Sequence, residues 1–345
     1  MTEEKPVVAF LGPKASYTHQ ATIDNFPSAA YDLSPQITIE DVFNAVQNST
    51  AYRGVVPFEN STNGSVVFTL DLFADLNSKY PDILVCGEAY VKVKHCLLGN
   101  QGKFGGGPST PAIIESPLSS GAVTPTILNP LPTKPSARPI GDLRGIKRLY
   151  SHPQAWGQCK SFLNTYLKGV ERLDVSSTSR AAEIVAGDGS GESAAISSGI
   201  AARIHGLGIL ARGIEDRGDN ETRFFVIGRA TTAANGISEH PDTTINTATQ
   251  NYKSLISFTV DHNNPGALAH SLSVFEKYGL NLTSINTRPS GTENWNYIFF
   301  VEIKGRRLED GEGEGAVNQA LGDLKDVCRG FRWLGSWENR LGRER

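Results

Sequence analysis

Between residues 7 and 228 the chain alternates short apolar runs with stretches whose apolar residues recur at helical spacing. The runs at 7–11, 54–57, 147–150, 172–176, 193–197 and 223–228 predict strands, and the patterns at 15–26, 39–47, 66–76, 153–167 and 179–186 predict helices. Strand–helix alternation of this kind predicts an α/β fold with largely parallel sheets. The long apolar run 82–98 reads as one strand crossing between two lobes. Ligands in open α/β sheets gather at strand ends, so a cleft between those lobes is expected.

Two stretches break the pattern. Residues 101–138 are rich in Gly, Pro, Ser and Thr, and residues 230–251 are polar and threonine-rich. Both read as loop or linker. A structureless loop as long as the first is unusual inside a compact domain, so it is expected to be an insertion that adds little to the core. Beyond the second, strands at 253–261, 282–288, 295–304 and 331–337 and helices at 266–278 and 316–328 run in the order βαββαβ, the ferredoxin-like arrangement. The expected domains are therefore 6–229, a linker at 230–251, and 252–338. A polar linker also predicts that cutting near Thr244 leaves the first region folded.

Composition narrows the classes. The net charge is -3 and the apolar content 39%, ordinary for a globular chain and without a charge bias toward nucleic acid or membrane. Cys86, Cys96, Cys159 and Cys328 are dispersed with no CxxC pair, which reads as reduced thiols of a cytoplasmic protein. Met1 to Pro6 is short and charged, and the apolar run after it is too short for a signal segment or a membrane span. No His/Cys/Asp/Glu grouping has zinc spacing, so no metal is expected.

Polar clusters stand at the predicted starts of several helices: Gly12 to Gln20, Glu59 to Ser65, Ser151 to Gln154, and Ser176 to Arg180. Helix starts present unpaired N–H groups, which suits an anion with several carboxylates. Each also has a purely structural reading. Ser151 and Gln154 fit an S-x-x-Q capping box with Pro153 in the first turn, and Thr178 fits a plain N-cap. His19 and His152 read as hydrogen-bonded helix-start residues, and Asn220 to Phe224 as a polar turn entering a strand.

Together these segments resemble the prephenate dehydratase family. Phe10-Leu11-Gly12-Pro13 with Ser16 to Ala21 resembles its opening motif, although the family usually has Gly where Ala15 stands. Gly54 to Val66 resembles the second motif, Ser151 to Ala155 with Gln158-Cys159 the third, and Thr222-Arg223-Phe224 the signature closing the catalytic region. The C-terminal region resembles an ACT domain, with Pro265-Gly266-Ala267-Leu268 as its Gly-Ala-Leu element and Asn286-Thr287-Arg288-Pro289 in place of Glu-Ser-Arg-Pro.

The resemblance implies a two-lobed, periplasmic-binding-protein-like catalytic region followed by an ACT domain. It implies an enzyme that turns prephenate into phenylpyruvate with loss of water and carbon dioxide, without metal or organic cofactor. Departure of the ring hydroxyl needs a donor, and the carboxylates need fixed partners. Thr222 is the implied donor and Glu59 the alternative acid, its carboxyl expected to be raised in pKa beside a dianion. Arg223 is expected to pair with a carboxylate or to brace the site. Ser16, Asn60, Ser61, Gln154, Thr178 and Phe224 are the implied substrate contacts. Feedback by L-phenylalanine is expected at Asn264, Pro265, Gly266, Ala267 and Leu268, and at Asn286, Thr287, Arg288 and Pro289, in a homodimer or homotetramer. Leu268 and Ile285 would line an apolar face there. Arogenate dehydratase, or a non-catalytic amino-acid sensor, are the competing readings.

Overall fold

The computed structural model describes residues 5–100, 134–230, 251–309 and 314–341. Most of the expected insertion and nearly all of the expected linker lie outside the described residues. The chain divides into two compact units: Met1–Leu11, Ala21–Tyr90 and Thr222–Arg345 form the first, and Gly12–Gln20 with Val91–Glu221 the second.

The first unit holds two sheets. One runs in the order β2-β1-β3-β11-β5, from β1 (Val7–Leu11), β2 (Asp32–Gln36), β3 (Arg53–Asn60), β5 (Ile83–Lys92) and β11 (Glu221–Arg229), with the two-residue β4 (Gly64–Ser65) on β3. Its parallel pairs, β1 with β2 and β1 with β3, are followed by β11 running antiparallel to β3. The sheet is thus mixed rather than largely parallel, because the chain returns to it only after building the second unit. α1 (Tyr17–Asn25), α2 (Ile39–Gln47) and α3 (Val67–Ala74) belong to the same stretch of chain. The bounds of α2 are those predicted, and Thr38 explains why: its hydroxyl caps Asp41 N–H while the Asp41 carboxylate returns to Thr38 N–H.

The other sheet of this unit has the order β13-β14-β12-β15, from β12 (Tyr252–Thr259), β13 (Leu282–Pro289), β14 (Tyr297–Lys304) and β15 (Gly330–Glu338). With α8 (Ala267–Lys277) and α9 (Ala316–Val327) it has the βαββαβ order expected. Period-2 alternation gives it two apolar faces. Ile256, Phe258, Val301 and Ile303 pack with Phe275 of α8 and Leu324 of α9. Leu255, Ile298, Phe300, Leu334 and Trp337 instead share one core with Val56, Phe58, Phe73 and Phe225. The approach is close: a side chain at Gly335, which has φ +125°, would meet Val85 O at 2.1 Å.

The second unit is a sheet in the order β10-β6-β9-β7-β8, from β6 (Cys96–Gly99), β7 (Arg148–Ser151), β8 (Glu171–Asp174), β9 (Ser193–Ser197) and β10 (Gly208–Arg212). β8, β7 and β9 are parallel, while β6 and β10 pair antiparallel. Helices α4 (Pro153–Gln158), α5 (Lys160–Tyr166), α6 (Thr178–Ala186) and α7 (Gly199–His205) complete it. The helix expected at 153–167 is two helices, because Cys159 at φ -120°, ψ 24° interrupts it. The apolar run 82–98 is likewise two strands, β5 and β6. Among the described residues, no helix is long and apolar enough to cross a membrane.

Candidate active site

In the first unit, the antiparallel pairing of β11 with β3 sets Thr222 opposite Asn60 and Arg223 opposite Glu59. A bulge follows, because Phe224 pairs with Pro57 and Phe58 becomes the extra residue of β3. Bulges re-aim side chains at the ends of a ladder. Here the Phe58 ring stacks on Phe225 at 3.9 Å between centroids, and the half-buried Glu59 and Asn60 follow at the strand's end.

The Asn60 amide has a determined orientation. Its Oδ1 accepts from the backbone N–H of both Thr62 and Asn63 at 3.0 Å, which only an oxygen can do. Its Nδ2 therefore donates, and it does so to Thr222 Oγ1 at 2.9 Å. With its oxygen accepting from Asn60, the Thr222 hydroxyl has its own proton to give. Ser61 is exposed on the loop that follows. Phe224 is 1% exposed and Arg223 is 7% exposed. The Arg223 guanidinium donates to Glu88 at 2.6 and 2.9 Å and to Glu302 at 2.5 Å. Its charged form is strengthened, because the attraction of Glu302 and Glu88 outweighs burial.

In the second unit, β8, β7 and β9 run parallel and each is followed by a helix, so Gln154 and Thr178 start helices at one edge of the sheet. The caps differ from the expected ones. His152 caps α4 by accepting Gln154 N–H, because Ser151 still belongs to β7 and its hydroxyl donates to Ile196 O at 2.9 Å. Ser177 caps α6 by accepting Arg180 N–H, and Thr178 is the first helical residue. The Gly12–Gln20 segment is tied to this edge through Ser179 Oγ to Lys14 O and Ser198 Oγ to Ala15 O. Ser16 Oγ accepts His19 N–H at 3.2 Å. The His19 ring accepts Ala15 N–H at 2.9 Å, and burial together with Lys14 lowers its pKa. A basic cavity of about 880 Å³ in this unit is lined by Tyr17, Lys92, Lys94, Ser198, Arg203 and Arg212 among others, and contains none of Ser16, Gln154 or Thr178.

In the C-terminal sheet, Gly266 stands ahead of α8 in the left-handed conformation, φ +84°. Asn286 Oδ1 accepts from Ser65 Oγ at 2.6 Å, and Arg288 pairs with Asp71 at 2.5 Å. Ile285 is 49% exposed, whereas Leu268 packs beside the helix-side core.

Glu88, Lys253 and Glu302 were not among the residues predicted from sequence, yet they surround Arg223. The available signal was a lone charge inside an apolar strand, as in Ile83-Leu84-Val85-Cys86-Gly87-Glu88-Ala89 and Phe299-Phe300-Val301-Glu302-Ile303. Such a charge requires a buried partner of opposite sign. Among the described residues, no His/Cys/Asp/Glu group is arranged to hold a metal ion.

A family model described as prephenate dehydratase matches residues 8–232. The chain is 34% identical over 342 residues to the bifunctional chorismate mutase/prephenate dehydratase of Aquifex aeolicus, covering 99% of this chain and 76% of that protein. It is 30% identical over 302 residues to the prephenate dehydratase of Methanocaldococcus jannaschii, covering 87% and 89%. Among solved structures, prephenate dehydratase from Arthrobacter aurescens in complex with L-Phe has a TM-score of 0.72 at 24% identity, covering 98% of this chain and 92% of that one, a likeness of fold.

Proposed function

The chain belongs to the prephenate dehydratase family and has that family's lyase activity, and on that footing we propose that Thr222 is the hydrogen-bond donor to the departing ring hydroxyl of prephenate. The observation that carries this reading is the Asn60–Thr222 pair. The amide is pinned by Thr62 and Asn63, so Thr222 accepts from it and keeps its own proton for the substrate. Two bonds break as the ring becomes aromatic: the ring carboxylate leaves as carbon dioxide, and its electron pair expels the hydroxyl on the opposite side. A threonine hydroxyl is too weak an acid to be the full proton source, so it stabilises the departing hydroxide as a preorganised donor. Glu59, next along β3, is the alternative acid. Ser16, Ser61, Gln154 and Thr178 are the proposed carboxylate and hydroxyl partners. Arg223 and Phe224 are buried, which supports a bracing role for both.

Residues 252–338 are, on this reading, an ACT domain that binds L-phenylalanine and lowers activity. Support comes from the βαββαβ order and from Gly266, whose lack of a side chain lets backbone N–H groups at the start of α8 approach a carboxylate. The same reading carries a homodimer or homotetramer working in the cytoplasm.

Thr222→Ala tests the chemistry. Removing one preorganised donor typically lowers turnover by about 10²–10³-fold. Purified parent and variant are assayed with prephenate and with arogenate, product identity is recorded, and circular dichroism checks the fold. A variant within about threefold of the parent on prephenate, far short of that loss, transfers the role to Glu59. Phenylalanine formed from arogenate in preference to phenylpyruvate from prephenate reassigns the substrate.

A further inference from the structure

Arg223 is one member of a buried group of four charges. Arg223 on β11 and Glu88 on β5 come from the first sheet, and Lys253 on β12 and Glu302 on β14 from the C-terminal sheet. Lys253 Nζ lies 3.4 Å from both Glu88 Oε2 and Glu302 Oε1, completing a ring in which each cation meets both carboxylates. All four side chains are at most 8% exposed. The remaining oxygens have partners: Glu88 Oε1 accepts Arg340 N–H, and Glu302 Oε1 accepts the Thr283 hydroxyl. The rings of Phe58, Phe225 and Trp337 stand 4.9–5.9 Å from the guanidinium carbon and exclude water from it.

A buried ion group is a poor source of stability, since apolar residues of similar volume commonly do as well. What it supplies is geometry. The guanidinium is a rigid planar fork: Nε and Nη2 both donate to Glu88 Oε2, and Nη2 also donates to Glu302 Oε2, so the two carboxylates together fix its plane as well as its position. That fixed residue is the immediate neighbour of Thr222.

We propose that Glu302 and Lys253 of the C-terminal sheet, with Glu88, hold Arg223 so as to place the Thr222 hydroxyl for the reaction. The C-terminal sheet is then part of the catalytic apparatus, and Arg223, Glu88, Lys253 and Glu302 are positioning residues that never touch substrate. This rests on the reading of Thr222 as the donor. In support, Glu88 keeps its charge: burial raises its pKa, but Arg223 and Lys253 together bring it below the ordinary carboxylate value.

The test is a double-mutant cycle on the full-length protein. Glu302→Gln leaves the group with one excess positive charge and Lys253→Met with one excess negative. The double variant is again neutral, and the amide that replaces the Glu302 carboxylate retains an oxygen for Arg223. Because misplacement by about 1 Å costs up to about 100-fold, each single variant is expected to lose about 10- to 100-fold in kcat, with KM within about twofold, and the double to return to within about threefold. A purely structural role would lower Tm in the single variants while kcat per folded molecule stayed parental, and that result overturns the proposal. A double variant as slow as the slower single overturns it too. If Glu302→Gln yields no soluble protein, Glu302→Asp keeps the charge and shortens its reach, and parental kcat there overturns the proposal equally. Thr222→Ala in the same series separates the two ideas. A disabled Thr222→Ala beside a fully active Glu302→Gln retains the donor and removes the positioning group. An active Thr222→Ala removes the donor itself.

Discussion

Ala15 is fully buried and has φ +69°, in the left-handed region where an L side chain is strained. The usual Gly at this place in the family's opening motif has a physical reason here. Relief of the left-handed strain is worth about 1–2 kcal/mol. Against it stand the lost methyl group, about 0.8 kcal/mol, and the extra freedom of Gly in the unfolded chain, about 0.4–1 kcal/mol. The terms nearly cancel, so Ala15→Gly is expected to change stability by less than about 1 kcal/mol in urea unfolding. A loss above about 2 kcal/mol would mean that the methyl's packing with Cys96, Leu98 and Ala181 outweighs the strain. Ser151 shows what remains hidden at this scale. Its spacing to Gln154 fits a capping box, but the last residue of β7 spends its hydroxyl on Ile196 O, and where a strand stops is not written in a four-residue pattern.

Elements with strong local signals lie where the sequence puts them: α2 with its capping box and β9 with five consecutive buried residues have the predicted bounds. Weak signals were missed. β2 is the polar edge strand Asp-Leu-Ser-Pro-Gln, and α7 and β10 are short, so neither periodicity rises above its surroundings. The antiparallel arrival of β11 is a pairing across more than 150 residues, which no local pattern encodes. β13 carries a consequence of its own. Residues alternate along it, so Asn286 and Arg288 share the face that meets Ser65 and Asp71. The Arg288–Asp71 pair is 26% and 44% exposed, and such pairs contribute at most about 1 kcal/mol. Arg288→Ala is therefore expected to leave unfolding nearly unchanged. If β13 transmits effector binding to α3 through this pair, the same variant shifts the phenylalanine concentration that halves activity. A parental inhibition curve would exclude this contact from regulation.

At the scale of the whole molecule, family resemblance singled out Thr222 and Asn60 one by one, but that they bond to each other across 162 residues came only with the structure. What holds the neighbouring Arg223 was not legible, because its partners are single charges on strands of two sheets. The polar stretch 230–251 suggests a C-terminal region that can be cut away, but the shared core argues otherwise. Truncation near Thr244 removes Leu255, Ile298, Phe300, Leu334 and Trp337 from a core they share with Phe58, Phe73 and Phe225. It also strips Arg223 and Glu88 of Lys253 and Glu302. Truncating one large core side chain costs about 2–5 kcal/mol, and whole domains are stable by about 5–15 kcal/mol, so losing five such side chains exceeds any ordinary reserve. Residues 1–244 alone are expected to be insoluble or to lack a cooperative melting transition, without prephenate turnover. Co-expression with residues 245–345 as a separate chain is expected to restore both, since the lost contacts are non-covalent. Circular dichroism melting and a prephenate assay on both preparations decide the matter. A soluble, cooperatively melting and active 1–244 protein would show that the first sheet covers this face by itself, making the C-terminal sheet a detachable sensor.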